Sequence, residues 1–256
     1  MLTKLQKFLF LILLFPLSSI FAVTEEQTNP KPSFEFIFEN ALAWQSSNVN
    51  QIPNSSQGTR FDIADFSKGA SYAPRFYFSY AFNENHSLRA LVFPFQAGGD
   101  KVLSEELKFD GKTFASGLNL NAKYKFHSYR LTYQYRLLNN EDWELKIGFT
   151  AKIRNAAVEL SQGTTQQKYS NVGFVPLLYF NANYFLSPMW HLEFDMDALA
   201  APQGRAEDIS LQAWYTINPT WRVGGGYRSL EGGADNSKVY TFAWLHFVTL
   251  STSVLF

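Results

Sequence analysis

The chain has 256 residues, with 22 basic and 22 acidic side chains and a formal net charge of zero, so no charge excess calls for nucleic acid or another polyanion. It contains no Cys, which excludes disulfides, thiolate metal sites, a Cys nucleophile and the lipidated Cys of a lipoprotein. Aromatics reach 17%, with 25 Phe and 13 Tyr, yet mean hydropathy is −0.16, so apolar and polar residues must be interleaved.

The N-terminus departs from that interleaving. "MLTKLQK" carries two lysines, "FLFLILLFPLSSIF" is a nearly unbroken apolar run, and Ala22 precedes the polar "VTEEQTNPKP". The run is about 14 residues long and contains Pro16, too short for a spanning helix of roughly 20. Residues 1 to 22 therefore read as a secretory signal peptide. Residues 23 to 33 read as a short periplasmic tail, and 34 to 256 as one domain.

The domain opens with a strand, "FEFIFENALAW" (34 to 44). "RFYFSYAF" follows, with Phe76, Phe78, Tyr80 and Phe82 on one face. Residues 113 to 137 are extended, but their apolar phase moves from even positions (Leu118 to Phe126) to odd ones (Tyr129 to Tyr135). One long strand with a β-bulge near His127 and Ser128 accounts for this. "ELKIGFTAKIR" alternates Leu145, Ile147, Phe149, Ala151 and Ile153 against a charged face. "WHLEFDMDAL" does the same with Trp190, Leu192, Phe194 and Met196. "VYTFAWLHFVTLSTSVLF" (239 to 256) closes the chain on Phe256.

A repeat links these strands. "YAFNENHSLRA", "YFLSPMWHLEF" and "YTINPTWRVGG" start at Tyr80, Tyr184 and Tyr215 and place His86, Trp190 or Trp221 six residues later. "YRLLNNEDWELKIG" from Tyr135 is a longer copy with Trp143. Each reads as a strand, a tight polar turn and a returning strand. Four hairpins and two single strands make ten, with eight or twelve as the neighbouring counts. The connections at the other end are longer: roughly 45 to 72, 96 to 112, 155 to 171, 199 to 207 and 229 to 238.

A soluble β-sandwich would also alternate. Export, a ring beside every short turn and an apolar final strand favour a membrane barrel, whose backbone can be satisfied in lipid only by closure. The expected fold is all-β, a closed antiparallel up-and-down transmembrane β-barrel. Tyr80, Tyr135, Trp143, Tyr184, Trp190, Tyr215 and Trp221 would ring its periplasmic rim.

The signal peptide, the Tyr-turn-Trp hairpins, the longer alternate loops and terminal Phe256 resemble the small bacterial outer-membrane β-barrel proteins. The resemblance covers nearly the whole mature chain and points to a broad class. It implies an outer-membrane address, lipid around the barrel, and recognition of the last strand with Phe256 by the barrel-assembly machinery.

Alternation sends many charges inward. Arg75, Arg89, Arg130, Arg136, Lys146, Lys152, Arg154, Arg222 and Arg228 would meet Glu35, Glu39, Glu193, Asp195, Asp197 and Asp208 in a narrow lumen. They would form either a salt-bridge plug or a polar pore. Enzyme signals are weak. His127 and Ser128 are the catalytic candidates, but adjacent strand residues point to opposite faces unless the bulge turns one of them. "GGGY" (224 to 227) lacks the Lys-Ser/Thr of a phosphate loop. No cofactor or metal site is expected, although the row 193, 195, 197 has the oxygen chemistry of a divalent-cation site. The expected function is a non-enzymatic outer-membrane protein, structural or a narrow channel for small solutes. The alternatives are a barrel enzyme acting on lipid or peptide, or an adhesin binding a surface ligand through the long loops.

Overall fold

The computed structural model describes residues 33–67, 69–202 and 204–256. The expected signal peptide, and the tail up to residue 32, lie outside the described residues. Ten strands form one antiparallel barrel: β1 (Ser33–Gln51), β4 (Arg75–Ala81), β5 (His86–Val102), β8 (Asn119–Asn139), β9 (Trp143–Gln162), β10 (Thr165–Phe185), β11 (Trp190–Ala201), β12 (Gly204–Thr216), β13 (Trp221–Asp235) and β14 (Tyr240–Leu255). Each pairs with the next, and β14 returns to β1 with Glu35 opposite Leu255, so no edge remains open around the ring. Phe256 finishes the seam by exchanging two backbone hydrogen bonds with Phe34. Two short strands, β2 (Phe61–Asp62) and β3 (Ser71–Tyr72), line the first long connection, and β6 (Leu107–Phe109) with β7 (Lys112–Phe114) form a small separate hairpin.

The repeat has a structural cause at both ends of each turn. A single side chain caps the turn three residues before the ring. Asn83 accepts from the backbone of His86, Asn140 from Trp143, Ser187 from Trp190 and Asn218 from Trp221. Pro188 and Pro219 follow their capping residues, where a fixed φ suits the turn and no ladder donor is needed. The Tyr of the first repeat, Tyr80, lies opposite Phe34 of β1, and the Tyr of each later repeat lies opposite the ring of the preceding one. Tyr184 faces Trp143 with centroids 4.7 Å apart, Tyr215 faces Trp190 at 4.9 Å, and Tyr135 faces His86 at 5.2 Å. The rim is thus a chain of cross-strand aromatic pairs.

The wall changes polarity along its height. In β8 the even positions face inward without interruption from Leu120 to Gln134. The inward residues Leu120, Ala122, Tyr124 and Phe126 are apolar, and then come Ser128, Arg130, Thr132 and Gln134. Outward, Lys123 and Lys125 give way to Tyr129, Leu131, Tyr133 and Tyr135. The bulge expected near His127 and Ser128 is therefore absent. Pairing there is continuous, and the register shift of β8 on β9 falls between Arg136 and Leu138. The apolar phase shifts because the inside and outside exchange character, not because the strand slips.

The same inversion corrects the expected long loops. β9 and β10 run on to Gln162 and Thr165 and meet in a tight turn, and β13 continues to Asp235. Near the turn rim the wall is an apolar belt, with Phe149, Phe174 and Leu250 about two-thirds exposed. Beyond it the strands continue with polar residues outside and an apolar core inside. An apolar surface of this extent on a closed barrel is what a lipid bilayer covers.

Candidate functional site

The lumen has three levels. Nearest the turn rim is a polar cup of about 250 Å³, bordered by the turn residues Asn83, Glu84 and Asn85. Arg222 ion-pairs Glu35 across it, and Glu144 receives both Arg136 and Lys146 at 2.8 Å. Glu193 and His191 also line it. Trp214 forms part of its floor, with its indole N–H buried and without a hydrogen-bond partner among the described residues. This ring lies flat on Gly224, where a Cβ would fall 2.6 Å from an indole carbon. That close approach, not phosphate binding, accounts for the first glycine of "GGGY". Gly224→Val is expected to push Trp214 into the cup and cost about 1–3 kcal/mol by overpacking. The midpoint of urea unfolding in detergent checks this.

The middle level is a closed cluster of charge. Arg75, Arg89, Arg130 and Arg228 meet Glu39, Asp195, Asp197 and Asp208, four cations against four anions. Asp208 is the hub and accepts from Arg75 at 2.8 Å, Arg130 at 2.5 Å and Arg228 at 2.8 Å. Arg130 also reaches Asp197 at 2.7 Å, whose second oxygen takes the Thr150 hydroxyl. Arg89 grips Asp195 through two nitrogens, and the Tyr179 hydroxyl donates to the same carboxylate. Arg228 bonds both oxygens of Glu39 and the Tyr77 hydroxyl. Burying so many charges is tolerable because most of their hydrogen-bonding groups are taken up by other members. Among the described residues Arg75 Nε and Nη2 and Arg89 Nε are the exceptions, buried without a hydrogen-bond partner, although Arg75 Nε lies 3.6 Å from Glu39.

The upper level is an apolar plug. Phe93, Phe95, Phe126 and Phe247 pack ring to ring with centroids 5.6–6.3 Å apart. Ile63 and Phe66 enter from a short 3-10 helix (Ile63–Phe66), and Phe109 and Phe114 from the β6–β7 hairpin. The levels join where the Arg75 guanidinium lies 4.1 Å from the Phe93 ring centroid, a cation–π contact.

The charges expected inside thus fall into separate places. Arg75, Arg89, Arg130, Arg228, Asp195, Asp197 and Asp208 share the middle cluster, while Arg136, Lys146, Arg222 and Glu193 border the cup. Lys152 is buried with its ammonium 5.1 Å above Phe126 and makes no ion pair among the described residues. Arg154 stands higher and bonds Asn171. His127 and Ser128 do not meet. Ser128 is fully buried and accepts from Arg130, whereas His127 lies on the opposite face of β8. The acidic row is divided, Asp195 and Asp197 being engaged by arginines. Tyr77 and Tyr179 also belong to the lumen, donors or acceptors of the cluster that the sequence signals only through alternation parity.

No protein-family model matches the chain, and no curated protein matches it. Among solved structures it is similar to the outer membrane protease OmpT of Escherichia coli, with a TM-score of 0.56 and 9% identity over 91% of this chain and 99% of that one. It also aligns with Ail, the attachment invasion locus protein of Yersinia pestis, with a TM-score of 0.41 and 10% identity over 89% and 100%. The chain has the fold of an outer-membrane β-barrel. At these identities the likeness concerns the fold.

Proposed function

We propose that this is an integral protein of the bacterial outer membrane that spans it as a sealed barrel, structural and not a channel. Its signal peptide would export it, its short turns and Tyr–Trp rim would face the periplasm, and the final strand with Phe256 would address it to the barrel-assembly machinery. The observation that carries the sealed lumen is the middle cluster, where Arg75 and Glu39 are 0% and 1% exposed beneath a continuous phenylalanine plug. An ion or sugar crossing the barrel would have to part four buried guanidiniums from four carboxylates, each separation costing several kcal/mol. Between the cup and this layer the free space shrinks from about 250 Å³ to a void of about 60 Å³ bordered by Glu39, Tyr77, Arg89, Asp195 and Arg228.

Liposome swelling tests this. Vesicles carrying the refolded protein, verified by heat-dependent gel mobility, should swell no faster in arabinose than protein-free vesicles. Swelling at a rate proportional to protein content would establish a solute channel instead. Proteolysis, the activity of OmpT, gains no support from the acids at the far end of β13, away from the short turns: Glu231 is engaged by Arg205 and Asp235 by Asn54.

A further inference from the structure

One cluster on the outer wall has the order of a nucleophilic relay. Closure of β1 on β14 brings Ser46 beside His246, 200 residues away in sequence. The Ser46 hydroxyl oxygen lies 3.0 Å from His246 Nε2, and His246 Nδ1 lies 2.5 Å from the Tyr227 hydroxyl. Ser46 sits at the register break between Gln45 and Ser47, where β1 has one residue without a partner on β14. A bulge of this kind re-aims a side chain, and here it turns the hydroxyl onto the imidazole.

The surroundings select the substrate. Trp44, Trp244 and Tyr227 pack around the imidazole with centroids 5.7, 5.1 and 6.0 Å away. Below them on the outer wall are Val248, Leu250 and Leu42, all more than half exposed. Above them are Ser229 and the Arg205–Glu231 ion pair. The serine therefore stands where the apolar belt ends, the depth at which acyl chains are joined to their headgroups. Tryptophan and tyrosine favour the same depth.

We propose that Ser46, His246 and Tyr227 form an exterior esterase site for acyl esters of membrane lipid, either a glycerophospholipid or an acylated glycolipid. This rests on the lipid-facing reading of the wall and is independent of the sealed lumen. With the Nδ1 proton donated to the Tyr227 oxygen, Nε2 is left to accept the Ser46 proton. Ser46 Oγ then forms a bond to the ester carbonyl carbon as its proton passes to Nε2. The carbon–oxygen bond to the headgroup alcohol breaks, and Nε2 returns the proton to that oxygen. Water, deprotonated by the same nitrogen, attacks the acyl-serine and releases the fatty acid, regenerating Ser46. The net reaction is ester plus water to acid plus alcohol. In the opposite tautomer Tyr227 donates to Nδ1, His246 donates to Ser46, and the Ser46 proton goes to the Trp244 carbonyl at 3.3 Å. That arrangement is inert.

The test uses full-length refolded protein in mixed micelles with diacyl phosphatidylethanolamine or with lipopolysaccharide, reading fatty-acid release, and a fluorescent fluorophosphonate as a covalent probe. Release from one substrate class and labelling are expected. Both should be lost in Ser46→Ala, on the order of 10³-fold or more for turnover. Tyr227→Phe, the positioning variant, should lower kcat on the order of 10-fold with KM unchanged, since it removes the acceptor that holds the Nδ1 proton and the working tautomer but keeps the ring that packs on the imidazole. No release from either lipid and no labelling, from protein with heat-dependent mobility, would overturn the site. Labelling undiminished in Ser46→Ala would do the same. Loss of heat-dependent mobility in the wild type would instead strike at the membrane reading itself.

Discussion

Asp208→Asn will destabilise the barrel by about 3–5 kcal/mol, the cost of leaving buried charge uncompensated. Asparagine keeps the shape, so the change is electrostatic and leaves no cavity. Three guanidiniums converge on this carboxylate, and the variant must hold Arg75, Arg130 and Arg228 around a neutral amide. The amide NH₂ would also turn a donor toward donors. Equilibrium unfolding in urea from detergent micelles measures the loss. Glu231→Gln is the control, because its exposed pair with Arg205 should be worth at most about 1 kcal/mol. A loss below about 1 kcal/mol for Asp208→Asn would mean that the arginines find other partners and that the cluster is no unit.

Phe93→Ala will cost a similar amount, about 3–5 kcal/mol, for a different reason. Phe93 is fully buried and touches the rings of Phe95, Phe126 and Phe247. Truncation removes transfer energy and leaves a void that the rigid wall cannot collapse to fill. It also takes away the face over which Arg75 lies. The same unfolding measurement reports it. A double variant with Asp208→Asn should fall short of the sum of the two losses, because Arg75 touches both sites.

Much of this architecture is written in the sequence at short range. Period-two alternation in residues 144 to 154 and the four Tyr-turn-ring repeats are local signals, and they lead to ten strands and one aromatic rim. Two features were hidden for physical reasons. Alternation shows that a strand has two faces but not which face is inside. Where β8 leaves the apolar belt, its inward residues become apolar, and Leu120 to Phe126 look like a change of register. The polar outer faces of β9 and β10 beyond the belt look like loop for the same reason. The second hidden feature is closure. The pairing of Trp44 with His246 depends on the shear of the whole barrel, so nothing near Ser46 in the chain indicates a histidine. The lumen charges were legible as a set from parity, but the hub role of Asp208 comes from four strands converging at one depth. Arg154, on the same face of β9 by parity, lies higher than that cluster and joins Asn171 instead.

The central claim is that the barrel spans the membrane with its lumen closed. Conductance of the refolded protein in a planar bilayer tests it most directly, after heat-dependent mobility has verified the folded state. The closed cluster and phenylalanine plug predict a silent membrane at every protein concentration and voltage that the bilayer withstands. Discrete, reproducible current steps, altered in ion selectivity by Asp195→Asn or Arg228→Gln, would contradict it and make the buried charges the lining of a pore.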